Sequence, residues 1–174
     1  MREIEVKLKV DDLAAVASKL EVLGCAISEP ISQKDIIFHK AAEKPPKNIL
    51  RIREQQGKFI FTFKRNVKDE LDCIERETVI ADSTALQEII KLLGFSELAR
   101  VSKIRRKCSY KDYEICLDAV EGLGSFIEIE KMSTTDTRQV RAEMLAFLAV
   151  LGLDTSKQVF QGYDTMLEKV KIKA

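Results

Sequence analysis

Three Glu-x-Glu pairs, Glu3–Glu5, Glu75–Glu77 and Glu128–Glu130, are the residues of this chain whose type and spacing could do chemistry. On a β-strand, residues two apart point to the same side, so each pair would present two carboxylates to one face. Paired carboxylates are hard oxygen donors suited to Mg²⁺ or Mn²⁺, and Mg²⁺ completes its shell with water and substrate phosphate. Basic residues repeat with the same period: Lys7 and Lys9, Arg51 and Arg53, and Lys103, Arg105 and Lys107, with Lys64 ending a Phe-Thr-Phe-Lys run. Such side chains take phosphate oxygens, Arg bidentately. Acids and bases together point to a polyanion held with cations. The single histidine, His39, excludes most zinc sites and any Ser/His or Cys/His couple, and is expected at the surface or in packing.

Strands are needed to aim these groups, and helices to cover the sheet. A unit occurs three times: a strand with Glu-x-Glu, a helix-period segment, and a stop at hydrophobic-Leu-Gly. The helical segments are Asp11 to Leu23, Thr84 to Leu93 and about Asp136 to Leu151, closed by Gly24, Gly94 and Gly152. Asp11 or Asp12 is a good N-cap, and Thr84 with Gln87 reads as a capping box. Candidate strands are Arg2 to Val10, Lys34 to His39, Ile49 to Glu54, Lys58 to Lys64, Asp72 to Ala81, Val101 to Ser109, Glu114 to Val120 and Ser125 to Lys131. Gln56-Gly57, Lys68-Asp69, Lys111-Asp112 and Gly122-Leu123-Gly124 are the corners, and Lys40 to Asn48, with Pro45 and Pro46, is a loop or lid candidate. The tail from Gln161 is expected to form a last short helix.

Composition sets the bounds. A chain of 174 residues fits one domain over its whole length, 1–174. With 29 Lys plus Arg against 28 Asp plus Glu, the net charge of +1 gives no global field for nucleic acid or an anionic membrane. No apolar stretch approaches the ~18 residues of a membrane span, so a soluble, cytoplasmic protein is expected. Cys25, Cys73, Cys108 and Cys116 show no C-x-x-C spacing and read as reduced thiols.

Strands adjacent in sequence and joined by short turns favour antiparallel pairing, hence an α+β class. Strand by strand, a sheet with a solvated charged face explains the alternation. Charges on so many strands also suit closure, because eight antiparallel strands can curl around a lumen that takes the charged face inward.

The series Glu3-Ile4-Glu5-Val6-Lys7, Leu50-Arg51-Ile52-Arg53, Phe61-Thr62-Phe63-Lys64, Glu75-Arg76-Glu77, Lys103-Ile104-Arg105, Leu117-Asp118 and Leu123 to Glu130 resembles the CYTH domain of the triphosphate tunnel metalloenzymes. The resemblance implies an eight-stranded antiparallel β-barrel, open as a tunnel, with helices packed on its outer face. It implies a divalent metal, Mg²⁺ or Mn²⁺, at Glu3, Glu5, Glu128 and Glu130, and triphosphate ligands Lys7, Arg51, Arg53, Lys64, Lys103 and Arg105. Catalytic roles fall to Lys7, Asp118 and Arg105, while Glu75 and Glu77 line the tunnel. For Lys9, Lys107 and Glu114 a solvated position is expected instead. The implied reaction is that of a class IV-like adenylyl cyclase, ATP to cyclic AMP and pyrophosphate. The alternative is hydrolysis of thiamine triphosphate, inorganic tripolyphosphate or a nucleoside triphosphate. A non-catalytic module binding polyphosphate or RNA through Lys103, Arg105, Arg106 and Lys107 stands third. The expected partner is a small triphosphate; a homodimer is compatible, and nucleic acid is not expected.

Overall fold

Apolar and charged side chains alternate along nearly every strand, and the backbone separates the two sets by curling the sheet until the charged face looks inward. The computed structural model describes residues 2–43, 47–66 and 72–173. In chain order these form β1 (Arg2–Val10), α1 (Leu13–Val22), β2 (Ile31–His39), β3 (Asn48–Gln55), β4 (Lys58–Asn66), β5 (Asp72–Ile80) and α2 (Ser83–Leu92). There follow β6 (Ser96–Tyr110), β7 (Tyr113–Val120), β8 (Gly124–Ser133), α3 (Thr137–Val150), a 3₁₀ turn (Thr155–Lys157), β9 (Gln158–Val159) and α4 (Tyr163–Lys173). Hydrogen-bonded neighbours run β5-β4-β3-β2-β6-β7-β8-β1, and β5 returns to β1 through Glu3↔Cys73 and Ile4↔Asp72, closing an antiparallel barrel.

That closure is short. Beyond those two pairs β9 takes over the edge of β1, with Lys7↔Val159 and Leu8↔Gln158. The eight-stranded α+β barrel is therefore as expected, whereas β9 was not foreseen, because two residues are too few to show an alternation.

The outer face of β1, β7 and β8 carries Ile4, Val6, Leu8, Ile115, Ile127 and Ile129, which pack with Val16 and Leu20 of α1 and Val140, Met144 and Leu148 of α3. Burying each such side chain contributes about 1.5–3 kcal/mol, so this face holds the two helices firmly. Helix α2 lays Ile90 on Phe38, Leu50 and Ile52, flanked by Phe59, Phe61 and Phe63. Helix α4 differs in what it covers: Tyr163, Met166 and Leu167 meet Ile37, Val101 and Phe126, which share the inward side of their strands with Asp35, Lys103 and Glu128. Its first turn borders the lumen.

Helix starts settle one expectation and correct another. Of the two candidate caps for α1, Asp12 is the one used, its carboxylate accepting from Ala14 N and Ala15 N. Helix α2 begins one residue before Thr84, with Asp82 accepting from Ala85 N at 2.9 Å, so the Thr84–Gln87 box does not form. A carboxylate is as good a cap as a hydroxyl, and in both helices the aspartate directly before the first helical residue is the one placed to accept from the free N–H groups. Strand β6 starts at Ser96, five residues before the expected Val101, and Gln56 (φ 49°) with Gly57 (φ 72°) makes the β3–β4 corner. The Lys68-Asp69 corner and residues 44–46 of the lid candidate lie outside the described residues. Among the described residues no helix is long and apolar enough to cross a membrane.

Candidate functional site

Inside the barrel the ladders bring β1, β8 and β7 side by side, with Lys7 opposite Glu128, Glu5 opposite Glu130 and Arg105 of β6 opposite Asp118. Lys7, only 2% exposed, sits between Glu5 at 3.1 Å and Glu128 at 3.2 Å. Asp118 is fully buried and accepts from Arg105 Nε at 2.7 Å and Lys103 Nζ at 3.1 Å, while Arg105 also binds Glu128. Across the lumen Arg53 forms a two-point pair with Asp35, at 2.7 and 2.8 Å. Arg51 reaches Thr62, Glu75 and Glu77, and Lys64 reaches Glu75 at 2.5 Å and Glu3 at 3.7 Å. The enclosed cavity has roughly 860 Å³ of empty space, its open mouth included.

Buried charges are tolerated only when paired, and the pairing here is uneven. Burial, reinforced by Glu128, pushes Glu5 up to about 7, and burial pushes Glu3 up to about 8 against the pull of Lys64. Glu130 is also raised by burial, despite Arg105. For Glu128 burial acts upward too, but Arg105 and Lys7 outweigh it and hold the carboxyl well below the usual range. Burial and then Arg105 lower Lys103 to about 8. Around Lys7 burial opposes the charge, yet Glu5 and Glu128 raise its pKa.

The donor set suits a hard divalent ion. Oxygens of Glu5, Glu128 and Glu130 lie within 4.8 Å of one another, and Glu5 Oε1 is buried without a hydrogen bond, its nearest compensation being the Lys7 charge. Three crowded carboxylates, two with raised pKa, are a cluster that a cation relieves. Glu3 is not among them. The short β1–β5 closure places it instead with Cys73 and Glu75, a second group within 4.8 Å.

The remaining sequence candidates divide clearly. Lys7, Arg51, Arg53, Lys64, Lys103 and Arg105 all line the cavity, as do Glu5, Glu128 and Glu130. Asp118 lies behind Arg105 and Lys103, and Glu77 stands at the rim with a half-exposed side chain. The run Lys103 to Lys107 makes no continuous basic surface. Lys103 and Arg105 turn into the lumen, Arg106 donates to the Ser28 carbonyl at 2.9 Å, and Lys107 pairs with Glu114.

Asp35, Thr62 and Tyr163 were not anticipated. Asp35 shares the inward side of β2 with Gln33 and Ile37, a pattern that the burial of alternate residues makes plain. Burial would raise its pKa, but Arg53 overrides this and lowers it to about 2. A carboxyl depressed from 3.8 stabilises the fold fully above that value and loses the contribution as pH falls through about 2. Acid unfolding followed by circular dichroism should therefore show Asp35→Asn unfolding at higher pH than the parent; coincident midpoints would mean that the pair adds nothing.

The comparisons agree with this geometry. The family model for the CYTH domain matches residues 1–163. A Methanocaldococcus jannaschii protein, provisionally named an adenylate cyclase, is 34% identical over 170 residues, covering 94% of this chain and 97% of the relative. The adenylate cyclase CyaB of Aeromonas hydrophila is 21% identical over 174 residues, covering 96% of this chain and 89% of its own. A solved Pyrococcus horikoshii structure superposes with a TM-score of 0.82 at 25% identity, covering 94% of this chain and 98% of that one. With the family match spanning nearly every residue that builds the barrel and its charged lumen, the chain belongs to the CYTH-domain family.

Proposed function

We propose that this protein is a divalent-metal-dependent enzyme of the cytoplasm that binds a triphosphate in the barrel lumen and converts ATP to cyclic AMP and pyrophosphate. The observation that carries the proposal is that one cavity is lined by both kinds of group: Glu5, Glu128 and Glu130, whose oxygens lie within 4.8 Å of one another, and the cations Arg51, Arg53, Lys64 and Lys103. The Methanocaldococcus relative, similar over nearly the whole of both chains, supports the nucleotide cyclase reading by its name.

The chain's own part in such a reaction is positioning and charge. Arg51, Arg53, Lys64 and Lys103 would hold phosphate oxygens, Arg105 would stabilise charge developing at the reacting phosphorus, and Asp118 would keep Arg105 and Lys103 aimed inward. Glu5, Glu128 and Glu130, with Glu3 nearby, would hold Mg²⁺ or Mn²⁺, and such an ion supplies Lewis-acid neutralisation of phosphate charge. Lys7 keeps two of those carboxylates together until the ion arrives. In the cyclase reaction the ribose 3′-hydroxyl loses its proton to solvent and its oxygen bonds to the α-phosphorus while the bond from that phosphorus to pyrophosphate breaks.

Incubation with ATP and Mg²⁺ or Mn²⁺, with cyclic AMP, pyrophosphate and orthophosphate followed separately, tests this. Cyclic AMP and pyrophosphate in equal amounts are expected. Orthophosphate without cyclic AMP would replace the cyclase with a triphosphate hydrolase, and metal-independent retention of polyphosphate without turnover would sink the enzymatic reading.

A further inference from the structure

Arg51, Thr62 and Glu77 stand in one row across β3, β4 and β5, Arg51 opposite Thr62 and Thr62 opposite Glu77. Strand β4 turns Phe59, Phe61 and Phe63 toward α2, so Thr62 falls on the other side with Lys64, where it is wholly buried. Its hydroxyl accepts from Arg51 Nε at 3.3 Å and Nη2 at 3.1 Å, and donates to Glu77 Oε1 at 2.8 Å. A hydroxyl has one proton to give, so the direction of this chain is fixed: donor to the acid, acceptor for the base.

Arg53 and Arg105 are seated differently. Each lays Nε and Nη2 on a buried carboxylate, Asp35 and Asp118 respectively. In Arg51 the same edge of the guanidinium meets a neutral oxygen, while Glu75 and Glu77 reach Nη2 at 3.1 and 2.8 Å. Neither acid holds it firmly. Glu75 is shared with Lys64, and the Glu77 side chain is half-exposed, so water weakens that pair. A phosphate entering the cavity that Arg51 lines can therefore take the guanidinium from these acids, provided the fork stays turned to the lumen. The hydroxyl supplies that constraint. Accepting along the Nε edge fixes the plane of the fork, and donating to Glu77 keeps the carboxylate from drawing Arg51 onto itself.

We propose that Thr62 is a positioning residue of the triphosphate site: its hydroxyl, held between Arg51 and Glu77, sets the Arg51 guanidinium for a phosphoryl oxygen. The proposal rests on the triphosphate reading above and gives a task to an uncharged residue. Without the hydroxyl Arg51 and Glu77 pair directly, and phosphate must compete with that pair.

The test is calorimetric titration of the full chain with inorganic tripolyphosphate in Mg²⁺, for the parent, Thr62→Val and Thr62→Ser, with circular dichroism to compare the folds. Valine keeps the branched shape and the strand preference but neither donates nor accepts, whereas serine keeps the hydroxyl. Thr62→Val should bind about tenfold more weakly, the scale of one hydrogen bond to a charged group, and Thr62→Ser should recover most of that loss. Mn²⁺ titrated without polyphosphate should bind all three proteins alike, because Glu5, Glu128 and Glu130 lie on β1 and β8, away from this row. Equal tripolyphosphate affinity in the parent and Thr62→Val would overturn the proposal while leaving the triphosphate site standing. So would a loss in Thr62→Ser as large as tenfold, or a parallel loss of Mn²⁺ affinity, since either would mean that packing and not the hydroxyl matters. Failure of the parent to bind tripolyphosphate at all would instead remove the underlying reading, and the role of Thr62 with it.

Discussion

Glu5→Gln is expected to lower turnover of a metal–triphosphate substrate by about two to three orders of magnitude, the scale of losing one group that offsets reacting charge. The variant is chosen for its mildness. Glu5 is buried, and with its pKa pushed up to about 7 it is partly protonated at neutral pH, so the amide resembles a form that the fold already accepts. The sign of the pH effect follows. A divalent ion favours the ionised carboxylate, so binding near pH 7 releases protons and affinity falls as pH drops below that value. Calorimetry of Mn²⁺ binding in two buffers of different ionisation enthalpy reads the release, which should shrink in Glu5→Gln. Full turnover in the variant, or unchanged proton release, would show that the carboxylate takes no part.

Asp118→Asn should produce the largest loss of stability. Asp118 is wholly buried and is the partner of both Arg105 and Lys103, which are 5% and 6% exposed. Removing one side of a buried ion pair costs about 3–5 kcal/mol, because the stranded charge remains out of water. For a chain of this length that corresponds to a drop in Tm on the order of 10 °C. Tripolyphosphate should restore part of it by lending negative charge to the stranded cations. Thermal denaturation with and without the polyanion measures both; an unshifted Tm would mean that water already reaches these groups.

The fold was legible because its signal repeats. Each of β1, β3, β4, β7 and β8 alternates apolar and charged residues long enough to define two faces, and Gly24, Gly94 and Gly152 end their helices with φ near +70 to +85°. The metal candidates were legible to the extent that they lie two apart on one strand. Closure geometry was less legible. Whether Glu3 or Glu128 stands beside Glu5 depends on how strands tilt around the barrel, and no single strand records that tilt. Asp35 was hidden for a related reason: on a strand thought to start at Lys34 there was too little pattern to assign it a side. Tyr163 belongs to a helix, so strand alternation could not reach it, and its role shows only once α4 is seated on Ile37 and Val101.

The seating of β9 against Lys7 has an effect on the order of folding. The lysine and Gln161, whose carbonyl it reaches, stand 154 positions apart, so this contact closes one of the longest loops in the fold. Strands joined by tight turns can pair before so distant a contact forms, which leaves one edge of β1 open until the segment docks.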